Sequence, residues 1–305
     1  MCIRDSTNGL LKNKIESMTA RLLNVCPELS VHLNFSLDGL GQTHDANRGV
    51  PGGFTKTISA MEAMRKTYRD HPRLLINAVS VITPDNYDEL YDLGVYLLKK
   101  DLVATHVFEV VRGDPKDPET KRVTPAQLAD LRKRVYPLFE KQADNLFKDF
   151  KGAKKAFAKM YFLGFLGFVN GIQDDNFVTP THWGMSCTAG KTTIVIDHDG
   201  SFRSCEIRPP IGNLRDYNYN LSAALYSKAM TEEIRAVGGG KRADCWCTHG
   251  CWIMSSMKFN PRALLFRIPA AHRRRKKNHI EGYELPEIDL HAIEHYDDER
   301  KRKIG

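Results

Sequence analysis

Five of the seven cysteines fall between Cys187 and Cys251, and no other feature limits the fold of this 305-residue chain as tightly. Soft thiolates gathered in one short stretch favour zinc or an iron–sulfur cluster as their common partner. Between the first two, Thr192-Thr-Ile-Val-Ile196, Asp197-His-Asp-Gly200 and Ser201-Phe-Arg-Ser-Cys205 read as a β-hairpin turning at Asp199-Gly200. A hairpin returns its ends to each other, so Cys187 and Cys205 can approach one centre. Cys245-Trp-Cys-Thr-His-Gly-Cys251 adds Cys245, Cys247 and Cys251 from a compact loop. Three readings compete. Unligated cysteines pack as small hydrophobes, but so many beside polar turns argue against that. A structural zinc site takes four ligands, often in two short-spaced pairs, and the first pair here is widely spaced. Four cysteines around an iron–sulfur cluster fit the spacing equally well. His249, in the same loop, is read as filling the turn, because a lone histidine is a weak signal.

The first third of the chain has a different texture. A helix is expected from Leu10 to Leu23, ending before Cys26-Pro27. In Val31-His-Leu-Asn-Phe-Ser-Leu-Asp38, apolar Val31, Leu33, Phe35 and Leu37 alternate with polar residues, the period of a half-buried strand. A helix over Phe54–Arg69, a strand over Leu74–Ile82, a helix over Asp85–Lys100 and a strand over His106–Val111 follow. Strands alternating with helices imply a parallel sheet. Its carboxyl edge, where such sheets bind ligands, would carry Asn34, Ser36, Asp38, Asn77, Glu109 and Arg112. Thr124-Pro-Ala-Gln127 opens a long helical segment to about Lys159, with threonine at the cap and proline at the first helical position. After Thr179-Pro180 short strands and cysteines take over, which sets a domain boundary near residue 180.

A composition of 42% hydrophobic and 27% charged residues supports a soluble globular protein with a good core. The longest apolar run, Met160–Val169, falls short of the roughly 20 residues a membrane span needs. The first residues lack the apolar stretch of a secretory signal, so the expected compartment is the reducing cytoplasm and the thiols are free or metal-bound. Much of the net charge of +8 sits in Arg273-Arg-Arg-Lys-Lys277 and Arg300-Lys-Arg-Lys303. No aromatic interleaving or reading motif for nucleic acid accompanies them, so they are read as a solvated or disordered tail. A zinc-binding module whose tail touches nucleic acid is the alternative function, with steep salt dependence as its mark.

Cys187-x12-Gly200-x4-Cys205 resembles the opening of the SPASM and twitch auxiliary-cluster pattern, and Cys247-x3-Cys251 is similar to its close. Phe35-Ser-Leu-Asp-Gly39, His44-Asp-Ala-Asn-Arg48 and Phe54 resemble the fourth strand and following loop of radical S-adenosylmethionine (SAM) enzymes. Asn77–Ile82 with Thr83–Leu90 resembles their fifth strand and helix, and the strand ending at Arg112-Gly113 stands where their sixth would be. The resemblance covers roughly residues 7–253 and implies a fold of class α/β: a partial (β/α) radical SAM barrel, its last three strand–helix units, followed by a small Cys-rich α+β auxiliary-cluster domain. The implied domains are a foreign leader or scar at 1–6, a truncated radical SAM core at 7–122, a helical connector at 123–180, the cluster domain at 181–256 and a basic tail at 257–305. The family's Cys-x3-Cys-x2-Cys loop, which holds the SAM-cleaving cluster, is absent from this sequence, as is its Gly-Gly-Glu-type SAM segment, so the chain is expected to be an inactive fragment. In the family a reduced cluster gives SAM one electron and a 5′-deoxyadenosyl radical takes a hydrogen from substrate. The resemblance further implies SAM near Ser36, Asp38 and Asn77, and an auxiliary 4Fe–4S cluster on four of the five cysteines. The expected partners are a peptide, carbohydrate or small-metabolite substrate and an external electron donor.

Overall fold

In the computed structural model of the chain the described residues are 2–238 and 245–296. They form two compact units. The first takes the described parts of Met1–Glu109, Asp117–Lys159 and Arg275–Gly305, and the second those of Val110–Lys116 and Met160–Arg274.

The first unit is built on strands β1 (Cys2–Thr7), β2 (Ser30–Ser36), β3 (Leu74–Ile82) and β4 (Thr105–Val110), hydrogen-bonded in that order as a parallel sheet. Register runs from Cys2 opposite Ser30 to Thr7 opposite Phe35, and from Val31 opposite Leu74 to Ser36 opposite Val79. Residues 2–6, expected to lie outside the fold as a leader, instead supply the edge strand, so the sheet has one strand more than the sequence suggested. A hydrophobic pattern is hard to see in Cys-Ile-Arg-Asp-Ser-Thr because an edge strand need not be apolar on both faces. β2 alternates as expected, with Val31, Leu33 and Phe35 buried.

Crossovers run through α1 (Lys12–Val25), α2 (Gly41–Arg48), α3 (Gly53–Tyr68) and α4 (Leu90–Lys99). α4 starts five residues later than expected because Asn86 holds the preceding turn. Its side-chain oxygen accepts from Thr83 N at 2.8 Å, and its amide donates to Val81 O and Asp38 O at 2.8 and 3.0 Å. Such side-chain bonds compete with helix for the same backbone groups. Asp45 takes the amides of Gly52 and Phe54 and so caps α3, adding a carboxylate at the positive end of that helix.

The single long helix expected from Thr124 is three. α5 (Pro125–Arg134) carries the full capping box, with Gln127 N donating to Thr124 Oγ1 and Thr124 N to Gln127 Oε1. α6 (Tyr136–Leu146) restarts where Pro137 has no N–H to continue the ladder. α7 (Gly152–Val178) follows. The units part between Lys159 and Met160, inside α7, rather than near residue 180.

The second unit holds β5 (Val195–Ile196), β6 (Ser201–Arg203) and β7 (Gly212–Asn213), an antiparallel sheet whose first turn is the hairpin read from the sequence. Gly200 at its tip has φ +85°, a conformation that favours glycine. α8 (Leu221–Leu225), α9 (Lys228–Gly238) and α10 (Gly250–Lys258) follow, then a π-helical turn (Ala263–Arg267) and α11 (Ile268–Lys276). The basic run at Arg273–Lys277 is therefore no free tail: α11 carries most of it, and Ile268 and Ala271 on the same helix are buried in the core with Met257 and Ala263. Arg300–Lys303 lies outside the described residues. From Arg275 the chain rejoins the first unit, with α12 (Leu290–Glu294). There Glu140 accepts from His279 at 2.9 Å, Tyr91 and Tyr283 share a hydroxyl bond of 2.6 Å, and Tyr296 donates to Asp45 at 2.6 Å. Among the described residues no helix is long and apolar enough to cross a membrane.

Two glycines of α7 in the second unit make a controlled pair. A Cβ on Gly164 would stand 2.4 Å from the carbonyl oxygen of Ile268, whereas one on Gly171 meets nothing within 4 Å. Urea unfolding should show Gly164→Ala destabilised by about 1–3 kcal/mol through overpacking. Gly171→Ala should be neutral or more stable by up to about 1 kcal/mol, the helix-propensity gain.

Candidate functional site

The carboxyl edge of the parallel sheet carries a cavity of about 210 Å³ lined by Asn8, Leu10, Ser36, His44, Arg48, Val50 and Gly53. Asn8 follows β1 and Ser36 closes β2, while His44 and Arg48 come from α2, four residues apart and so on one helix face. His44 Nδ1 accepts from Asp38 N at 3.1 Å, which leaves the proton of the neutral ring on Nε2. Burial, with help from the Arg48 charge, lowers His44 to about 4 and keeps it neutral. The sequence had marked neither His44 nor Arg48 as site residues. Their i, i+4 spacing just after a strand end was the available signal.

The three residues expected to meet a cofactor are placed differently. Ser36 lines the cavity. Asp38 is buried and fully engaged: Oδ1 accepts from Val81 N at 2.8 Å, Oδ2 pairs with Arg48 Nε at 2.7 Å, and its carbonyl accepts from Asn47 and Asn86. Burial raises its carboxyl above the usual range against the pull of Arg48. Asn77 sits within the sheet, opposite Asn34, where Nδ2 donates to Asn34 Oδ1 at 3.2 Å and Oδ1 accepts from Thr105 Oγ1 at 2.8 Å.

In the second unit the cysteines converge. Cys187 and Cys205 are buried in one core cluster, with Cys245 and Cys247 packed against it, and Cys251 is exposed in the first turn of α10. Burial first, and then the nearby Cys205, Cys245 and Cys187, push Cys247 up to about 12. Cys205 is pushed up to about 11, again chiefly by burial, with Glu206 and Cys187 adding to it. Three of these sulfurs share one local device: each accepts from the backbone N–H two residues on, Cys187 from Ala189 at 3.5 Å, Cys205 from Ile207 and Cys247 from His249. Amides aimed at sulfur stabilise a thiolate and tune a metal bound to it.

Beside them, Glu206 Oε1 lies 2.5 Å from Arg112 Nη2 and 3.1 Å from His249 Nε2. His249, followed by Arg112, holds the Glu206 carboxyl down near 2. His249 is itself buried, and neither ring nitrogen completes a hydrogen bond. Trp183 Nε1 donates to Cys247 O at 3.0 Å.

Among the described residues no three His, Cys, Asp or Glu side chains are grouped as a single-ion metal site. Zinc, with Zn–S bonds of roughly 2.3 Å, would draw its sulfurs to within about 4 Å of one another. A four-iron cluster is larger, and its ligands stand further apart.

No family model matches the sequence. An AdoMet-dependent heme synthase of Methanosarcina barkeri is 32% identical over 117 residues, 37% of this chain and 30% of that protein. The match thus spans under a third of the length of that curated relative. Among solved structures, native anSMEcpe with bound AdoMet and Cp18Cys peptide superposes with a TM-score of 0.50 at 16% identity, covering 99% of this chain and 75% of that one. Polyhistidine-tagged anSMEcpe with bound AdoMet gives 0.51 at 14% identity over 96% and 74%. The fold is that of these neighbours, an α/β arrangement around a parallel four-stranded sheet.

The neutral histidines of the first unit set its acid limit. His44 titrates near 4 and the buried His106 near 3, against an ordinary 6.5, in both cases chiefly because burial penalises the charge. As pH falls below 6.5 the unfolded chain takes up these protons first, so each group costs up to about 1.4 kcal/mol of stability per pH unit until its folded value is reached. Urea midpoints should fall between pH 6.5 and 5, and His44→Gln should flatten part of that slope. An unchanged slope in the variant would refute the assignment.

Proposed function

We propose that the chain is a radical SAM protein, one that joins the SAM-gripping edge of such an enzyme to an auxiliary 4Fe–4S cluster, in the service of modifying a peptide; its 32% identity to an AdoMet-dependent heme synthase over 117 residues supports this. The observation that carries this reading is the set of three thiols, Cys187, Cys205 and Cys247, each with an amide from two residues on and all drawn into one electrostatic neighbourhood.

In the second unit these three thiolates would hold three corners of the cluster, with Cys245 or Cys251 available for the fourth. Bound there, the cluster supplies electron transfer or a Lewis-acidic iron beside the substrate. Ala189, Ile207 and His249 amides would hold the sulfurs in their acceptor orientation, and the buried Cys187 and Cys205 keep water from that side.

At the sheet edge, the cavity is below the roughly 300 Å³ at which drug-sized ligand pockets begin, so it suits one part of SAM rather than the whole. Ser36 Oγ and Asn8 would meet its sugar or amino-acid end. Arg48, one nitrogen held by Asp38, keeps guanidinium N–H groups for a carboxylate, and His44 Nε2–H adds a neutral donor. Asp38 and Asn77 act by positioning: Asp38 aims Arg48 and His44, and Asn77 ties β2 to β4. A peptide is favoured among substrate classes because the neighbouring anSMEcpe structure holds one. An external electron donor completes the scheme.

Anaerobic reconstitution with iron and sulfide should give about four irons per chain and the broad visible absorbance of thiolate-bound iron. Cys205→Ser and Cys247→Ser should each lose most of it, while the folded far-UV signal stays. The chain alone, without a Cys-x3-Cys-x2-Cys sequence, should leave SAM uncleaved. A colourless protein retaining one zinc would overturn the cluster.

A further inference from the structure

The second unit holds a cavity that neither the cysteines nor the sheet edge uses. It encloses about 480 Å³ between the second half of α7, the segment that follows it, and the π-helical turn with α11. That volume falls within the roughly 300–1,000 Å³ of small-molecule sites. Phe168, Trp183 and Phe266 give it aromatic walls, and Arg267 and Arg274 give it positive charge. All of these residues belong to the second unit.

Arg267 is the residue that sets what the cavity can hold. Its guanidinium lies against Gly184, where a Cβ would collide with both terminal nitrogens. Nη1 donates to Trp183 O at 2.9 Å, and the Phe168 ring centre stands 6.0 Å from the guanidinium carbon, at the reach of a cation–π contact. These contacts orient the fork, yet among the described residues neither Arg267 nor Arg274 forms an ion pair. An ordinary surface arginine is loose and must be ordered before it can grip anything. Here the planar fork is already set, which removes much of that cost and suits a planar oxyanion.

The surroundings favour an anion on an apolar body. Phe266 and Arg267 end a single π-helical turn, a rare form often found at functional sites. Phe266 is 69% exposed, so the cavity carries apolar surface open to a ligand. Asp175 lines the α7 wall and is itself free of ion pairs among the described residues. Its charge turns a ligand's anionic end toward the arginines and away from α7.

We propose that this cavity binds a small organic oxyanion, a carboxylate or a phosphate on an apolar body, with Arg267 as the bidentate anchor, Arg274 as the second charge and the aromatic walls around the body. The site is independent of the cluster and of the SAM-binding edge.

Isothermal titration calorimetry on the full chain tests it with 3-phenylpropionate, phenyl phosphate, inorganic phosphate and the neutral 3-phenylpropionamide. One of the two organic anions should bind saturably, about tenfold or more tighter than inorganic phosphate and the amide, and less tightly as salt rises. Whichever of the two binds tighter identifies the anion. Arg267→Lys keeps the charge but loses the fork, and should weaken binding about tenfold. Arg274→Gln and Phe266→Ser alter exposed side chains, so they test the site without putting folding at stake, and each should weaken binding severalfold. No saturable binding of either organic anion overturns the site. So does equal binding of the amide, or unchanged affinity in Arg274→Gln and Phe266→Ser.

Discussion

A single buried carboxylate organises the carboxyl edge of the parallel sheet. Asp38 leaves β2 and at once meets the end of β3 through Val81 N, helix α2 through Arg48, His44 and Asn47, and the turn before α4 through Asn86. Burying a charge costs several kcal/mol unless it is matched, and the raised carboxyl shows that the cost is felt. What offsets it is the convergence of one guanidinium and one backbone amide on two oxygens. The arrangement leaves Arg48 and His44 facing the cavity with fixed orientations, so the donors at the edge inherit their geometry from a residue that itself touches nothing there.

The sequence disclosed the parts of this architecture that depend on periodicity. Alternation in Val31–Asp38, the Thr124/Gln127 cap and the turn at Asp199-Gly200 are local signals with one physical meaning each, and all three stand. It misread what depends on distant partners. The edge strand at Cys2–Thr7 is polar and becomes a strand only through β2. Asn77, expected among the polar residues near a strand end, lies within β3, where cross-strand Asn34 and Thr105 bond its amide. A charge run such as Arg273–Lys277 commonly means solvent, and nothing in the run itself shows that Ile268 and Ala271 anchor the same helix.

The cysteine site was legible in composition and only partly in geometry. Spacing brought Cys187 and Cys205 together through the hairpin, but it could not rank five thiols. What the structure adds at three of them comes from backbone: an amide two residues after each of Cys187, Cys205 and Cys247 turns back on the sulfur. No residue type encodes that turn. His249 was read as filling the turn, since the carboxylate beside its ring lies far from it in the chain, at Glu206.

The return of residues 275–296 to the first unit bears on biosynthesis. Tyr296 reaches Asp45 across 251 positions of chain, and Tyr283 reaches Tyr91 across 192. The ribosome releases Asp45 long before its hydroxyl partner exists. Until residue 296 has emerged, Asp45 lacks the hydroxyl that Tyr296 donates to it. Loss of residues 275–296 would therefore be felt at Asp45 and Tyr91, far back along the chain in the first unit.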